Sequence, residues 1–234
     1  LVTGCGRGIG RSLAVALAEA GADVAGVYNT SDPEETEKQI KKLGKKFVPL
    51  KADFSKTNET AVLIERVVEE FGKLDILVNN AGTATRAPAI DYTEEDWDRV
   101  IQVNLKTVFF LCQAAARQFL KQGTPGKIIN IASVLAFQGG ILVPPYTASK
   151  SGVRGLTKLL ANEWAKQNIN VNAIAPGYME TDLTAAIRKD PERNQRIIER
   201  IPAGHWGSTD DLKGVVVFLA SEASRYVHGT TIPV

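Results

Sequence analysis

A chain of 234 residues, 44% hydrophobic and 23% charged, can bury a full core, and its net charge of +2, made of interspersed acids and bases, offers no surface built for nucleic acid or membrane. Two cysteines and two histidines, all set apart, leave neither a disulfide framework nor a zinc or iron site, and fit a cytoplasmic protein with reduced thiols. The longest apolar runs, "TVFFLC" and "GVVVFLA", are far too short to span a bilayer.

Helical and extended patterns alternate along the chain. The first residues read as the end of a strand, with part of it expected before Leu1 and a short tail expected after Val234. A helix follows over 8–21, with Ile9, Leu13, Leu17 and Ala20 on its apolar face and Gly21 as a stop signal. Residues 23–28 read as a strand. In 31–44 an Asp cap, Pro33 in the first turn and Gly44 past the end predict a helix. Strands over 46–52 and 74–80 flank an amphipathic helix over 59–72. A long helix runs from about Thr93 to Lys121, opened by a Thr cap with Asp96 one turn on. Then come a strand over 127–133, a helix over 146–167 and a strand over 169–176. Residues 182–200, charged and carrying Pro191, read as a lid that orders over substrate. A helix over 209–221 and a strand over 229–234 end the chain.

Some seven strands, mostly apolar and unbroken, are what a sheet covered on both faces requires. Their alternation with helices predicts a single Rossmann-type, doubly wound α/β domain spanning 1–234, with a mostly parallel seven-stranded sheet.

The turn between the first strand and helix, "TGCGRGIG", carries the first chemistry. Gly4, Gly6, Gly8 and Gly10 let the backbone turn sharply and approach a ligand, and the helix amides beyond them point at an anion such as a dinucleotide pyrophosphate. The spacing runs Thr3, Gly4, Gly8, Gly10, with Ile9 inside it, and is not the common G-x-G-x-x-G.

With this turn the sequence resembles the short-chain dehydrogenase/reductase family, and the resemblance continues through the whole chain. "NNAG" at 79–82 is similar to the segment that supports the adenine ring and central sheet, which places Asn80, Ala81 and Gly82 at the coenzyme. Asn104 in "VNLKTVFF" matches the family's helical active-site Asn, implied to hold a water that links Lys150 to solvent. Ser133, ending "IINIAS", and Tyr146 and Lys150 of "YTASK" complete the catalytic set. Pro176, Gly177 and Thr181 match the segment that holds the nicotinamide amide, with Met179 inside it. The family commonly forms tetramers through the helices around Asn104 and Tyr146, so a homotetramer is expected.

The physical case for Tyr146 and Lys150 is their spacing. A phenol ionises near ~10, too high for efficient proton transfer at neutral pH. Residues four apart share a helix face, so the ammonium is expected to stabilise phenolate, and an oxidised nicotinamide adds positive charge on the same side. Ser133 would donate a hydrogen bond to the reacting oxygen.

The acid that takes ribose hydroxyls in NAD enzymes is absent: Tyr28, Asn29 and Thr30 stand there instead. Arg7, just before Gly8, could reach a 2′-phosphate, so NADP is favoured over NAD, although Arg7 also reads as a solvated loop residue. Asp53 matches the residue that contacts the adenine amino group. Residues 127–182 and 200–207 resemble the family's sugar-acid dehydrogenases, which implies interconversion of a secondary alcohol and a ketone on a sugar acid or polyol such as 2-dehydro-3-deoxygluconate. A substrate carboxylate needs a cation, for which Arg86 and Arg154 are candidates or else plain surface arginines. Gln138, Tyr178 and Met179 are expected to line the substrate pocket, and His205 stands where that subgroup has Arg. The alternatives are a 3-oxoacyl-carrier-protein reductase, which shares the catalytic motifs, and a non-catalytic dinucleotide-binding scaffold.

Overall fold

The computed structural model describes residues 1–55 and 60–234. Its strands are β1 (Val2–Thr3), β2 (Val24–Tyr28), β3 (Phe47–Lys51), β4 (Ile76–Asn79), β5 (Gly126–Ile131), β6 (Ile169–Ala175) and β7 (Thr231–Pro233). They form one seven-stranded sheet in the order β3-β2-β1-β4-β5-β6-β7. Every pairing is parallel, so "mostly parallel" becomes wholly parallel among the described residues. The sheet grows outward from β1 in one direction, then restarts at β4 on the other side. That reversal opens a crevice beyond the carboxyl ends of β1 and β4, where open α/β sheets hold their ligands.

Both faces are covered because the strands are apolar on both. One face packs α1 (Gly8–Glu19) and α2 (Glu34–Lys42), with Leu13, Leu17 and Ile40 against Val78 and Ile129. The opposite face packs α3 (Thr60–Phe71), whose predicted first residue Glu59 lies outside the described residues. Leu63 and Val67 of α3 meet Leu111, Phe119 and Leu160 over Leu77 and Ile128. Cys5 and Cys112 are free and buried, and burial pushes both thiols up to about 12, which keeps them unreactive.

Several local predictions change in the structure. In α2 the N-cap position is held by Pro33, while Asp32 Oδ1 accepts the Glu34 N–H at 2.9 Å from one residue further out. The long helix after β4 is α4 (Glu94–Ile101), a single π-helical turn (Gln102–Lys106) and α5 (Thr107–Gln122). Its predicted cap holds, with Thr93 Oγ1 accepting the Asp96 N–H at 3.2 Å. The short α6 (Leu135–Gln138), unforeseen in the sequence, precedes α7 (Pro144–Trp164). Residues 182–200 fold as α8 (Asp182–Arg188) and α9 (Pro191–Ile198), the second capped by Asp190 with Pro191 in its first turn. The last predicted helix is a 3₁₀ turn (Thr209–Leu212) running into α10 (Lys213–Ala220). Among the described residues no helix is long and apolar enough to cross a membrane.

Candidate active site

The crevice at the strand reversal is a cavity of about 660 Å³, within the usual range for small-molecule sites. Its first wall is the glycine turn. Gly4 and Gly8 adopt φ of +70° and +53°, and a Cβ on Gly10 would stand 2.1 Å from the Gly4 carbonyl oxygen. Asn80 fixes this shape: its Nδ2 donates to the carbonyls of Thr3 at 2.9 Å and Gly4 at 3.2 Å. Thr3 Oγ1 in turn accepts the N–H groups of Asn80 and Ala81, both at 2.9 Å. No side chain caps α1, and its first turn carries no acid. Uncapped helix amides at a glycine turn on a cavity fit the pyrophosphate of a dinucleotide.

All the residues assigned to the coenzyme line this one cavity. Arg7, Ile9, Tyr28, Asn29 and Asp53 line it together with Ala81, Gly82, Pro176, Gly177, Met179 and Thr181. Asp53 Oδ1 accepts from Ser55 N–H at 3.0 Å and from Asn29 Nδ2 at 3.4 Å. Arg7 is engaged across the cavity, with Nη1 at 2.9 Å from Asp182 Oδ2. Thr184, Asp182 and Thr83 also line it and were not anticipated. Thr184 was legible in principle, because Thr181 and Thr184 cap α8 reciprocally at the spacing of a capping box.

The chemical groups stand on two elements. Ser133 follows β5 and is buried, its Oγ fixed by accepting the Leu135 N–H at 3.1 Å. Tyr146 and Lys150 sit one turn apart on α7, and all three line the cavity. Lys150 Nζ donates to the Ile131 carbonyl at 2.6 Å and lies 5.7 Å from the centre of the Tyr146 ring. Burial lowers Lys150 from 10.5 to about 8. Burial also raises Tyr146 above its ordinary value, opposed by a hydrogen bond with Ser133 and by the charge of Arg86. Within the chain alone the Tyr146 phenol is thus harder to ionise than a free one. Burial outweighs the lowering influences, the charge of Arg86 among them, while the Lys150 ammonium, though near the ring, is turned to the Ile131 carbonyl.

Asn104 lies in the π-helical turn, fully buried and off the cavity wall. Its Oδ1 accepts the Thr83 N–H at 2.8 Å, while Nδ2 donates to the Thr83 carbonyl at 2.9 Å and to Ser149 Oγ at 3.3 Å. The extra residue of a π turn re-aims a side chain that an unbroken α-helix would place elsewhere. Here it clamps the cavity-lining Thr83 to the helix that carries Tyr146. The water-holding role implied for Asn104 finds its side-chain amide already committed to these partners.

Of the substrate candidates, Ser133, Tyr146 and Met179 line the cavity, whereas Arg86, Gln138, Arg154, Tyr178 and His205 lie outside its wall. Arg86 Nη2 donates to the Leu183 carbonyl of α8 at 3.1 Å. Gln138 Oε1 accepts from Arg200 Nη2 at 3.4 Å, and Tyr178 packs edge-on against Trp206 with centroids 5.7 Å apart. Arg154 is not a free cation at the mouth, because its guanidinium stacks on Phe137 at 4.0 Å. His205 is exposed, with Nδ1 at 2.8 Å from the Trp206 carbonyl.

A coenzyme turn and a Ser–Tyr–Lys group sharing one cavity define a class, the nicotinamide-dinucleotide oxidoreductases that lack the common glycine spacing. The family model described as Enoyl-(Acyl carrier protein) reductase matches residues 4–234, and the chain belongs to the short-chain dehydrogenase/reductase family. Within that family it is 58% identical over 234 residues to the 2-dehydro-3-deoxy-D-gluconate 5-dehydrogenase of Dickeya dadantii (strain 3937), covering 100% of this chain and 92% of the relative. A gluconate 5-dehydrogenase from Burkholderia cenocepacia J2315, solved in complex with NADP and tartrate, superposes with a TM-score of 0.91 at 40% identity, covering 99% of this chain and 91% of that one. A 3-oxoacyl-[acyl-carrier-protein] reductase of Staphylococcus epidermidis is 41% identical over 236 residues, covering 100% of this chain and 96% of the relative.

Proposed function

We propose that this chain interconverts a secondary hydroxyl and a ketone on a sugar acid of the 2-dehydro-3-deoxygluconate type, with NADP as coenzyme. The observation that carries the reading is that Ser133, Tyr146 and Lys150 share one cavity with the glycine turn and the uncapped end of α1. The coenzyme, when bound, supplies or accepts the hydride. Tyr146 passes the proton to or from the substrate oxygen, and Ser133 Oγ donates a hydrogen bond to the same oxygen. Lys150, one turn away, adds positive charge beneath the phenol and offers donors to ribose hydroxyls. Asn104 keeps Thr83 and α7 in register.

Arg86 is the proposed partner of the substrate carboxylate, since its charge already acts on Tyr146. NADP is supported by Arg7 in the cavity and by the absence of an acid at Tyr28. The stretch 182–200 serves as the lid. A cytoplasmic homotetramer completes the proposal, supported by the exposed Phe110 on α5 and Leu159 on α7. The carrier-protein reductase reading shares Ser133, Tyr146 and Lys150 and differs in substrate alone.

The test is a 340 nm assay of sugar acids and acetoacetyl esters with each coenzyme. Turnover with a sugar acid, greater with NADP than with NAD, is the expected result. Turnover confined to acetoacetyl esters would favour the carrier-protein reductase, and none with any carbonyl or alcohol would favour a scaffold.

A further inference from the structure

The Arg7–Asp182 ion pair joins the glycine turn to the proposed lid. Arg7 occupies the N-cap position of α1, and Asp182 is the first residue of α8. Both side chains line the coenzyme cavity, 2.9 Å apart. On its other side the turn is pressed against the loop after β2: a Cβ on Gly6 would stand 2.3 Å from the Ser31 carbonyl oxygen. Tyr28, the last residue of β2, and Asn29 and Thr30 of that loop line the cavity and include no acid for ribose hydroxyls. Arg11, the next guanidinium in the chain, is committed, with Nη2 donating to the Gly6 carbonyl at 2.6 Å and Nε to Thr36 Oγ1 at 3.3 Å. Arg7 therefore stands between a carboxylate on one side and the ribose end of the cavity on the other.

From this placement we infer that Asp182 is a coenzyme-specificity residue, competing with the 2′-phosphate of NADP for the Arg7 guanidinium. The inference rests on the reading that Arg7 meets that phosphate. NAD has no group to draw Arg7 away and leaves the ion pair intact. NADP separates it, and Asp182 is left as an unpaired carboxylate on a wall shared with the pyrophosphate-facing amides. The two side chains are 61% and 70% exposed, so the pair is weak and the competition lowers NADP affinity without preventing binding. A phosphate able to accept two parallel N–H bonds from Arg7 is the stronger partner.

Dissociation constants of NADP and NAD, measured by fluorescence titration on the whole chain, test this in Asp182→Asn, Arg7→Ala and the double variant. Asp182→Asn is expected to tighten NADP about two- to fivefold, the range of an exposed ion pair, with a smaller change for NAD. In the Arg7→Ala background the same substitution should leave the ratio of the two constants unchanged. Equal tightening of both coenzymes, or an effect that persists without Arg7, would overturn the competition. If Arg7→Ala weakens NADP selectively while Asp182→Asn alters nothing, only the competition fails. If Arg7→Ala leaves the ratio as it was, the coenzyme reading fails and the competition with it.

Discussion

The floor of the site and its roof are built by different physics. Ser133 and Lys150 on the floor, and Asn104 behind it, are buried, and each is tied to a backbone group, that of Leu135, Ile131 or Thr83. The roof, α8 and α9, contains no buried residue at all. Its contacts to the rest of the molecule are mostly exposed, as in Arg7–Asp182, Arg86 to the Leu183 carbonyl, and Arg200 to Gln138. Trp206, buried beneath it, donates to Asn194 at 2.7 Å. Segments with few buried apolar contacts open at low free energy. Proton transfer needs positions held to fractions of an ångström, whereas substrate entry needs something that moves.

The contrast can be broken most severely at the floor. Tyr146→Phe removes the hydroxyl proposed to transfer the proton and should lower kcat by about a hundredfold or more, with coenzyme affinity nearly unchanged. Turnover near that of the parent chain would remove Tyr146 from the chemistry.

Lys150 offers a stability readout of the same contrast. Below pH 8 both folded and unfolded chains carry its proton, and the folded chain bears the whole cost of burying it, up to about 3 kcal/mol at about 1.4 kcal/mol per unit. Between about 8 and 10.5 only the unfolded chain holds the proton, so stability from this group rises with pH and is fully present above 10.5. Urea unfolding of Lys150→Met should accordingly show a gain at pH 7 that shrinks by pH 10, together with loss of turnover. A destabilised variant at pH 7 would mean that the bond to the Ile131 carbonyl outweighs the burial cost.

At the roof the effects should be smaller and selective. Arg86→Gln is expected to raise KM for a sugar acid about tenfold, the loss of one charge-assisted hydrogen bond, and to leave an uncharged ketone substrate unaffected. Global stability should change by no more than about 0.5 kcal/mol, as for other exposed substitutions. Equal KM increases for charged and uncharged substrates would place Arg86 in lid positioning, not carboxylate binding.

What could be read from the sequence follows the same division. The glycine turn, Ser133, Tyr146 and Lys150 announce themselves because their chemistry demands fixed local spacing, and the strands because both their faces are buried. The helices α8 and α9 bury no face, so apolar periodicity had nothing to reveal there. Arg7 and Asp182 lie 175 residues apart, and no local pattern joins them. The π turn at Asn104 is a backbone event that its side chains do not announce. The rise in the Tyr146 pKa is illegible for another reason: spacing shows a neighbouring ammonium but not the burial that competes with it.

The central claim is that positive charge brought by the coenzyme, added to that of Lys150, turns a buried and reluctant phenol into a working acid and base. Its most direct test is the tyrosinate absorbance of the parent chain minus that of Tyr146→Phe, followed against pH with and without saturating oxidised coenzyme. Tyr146 should ionise above the ordinary tyrosine range on its own and well below it once the coenzyme is bound. An ionisation that the coenzyme leaves in place would contradict the claim.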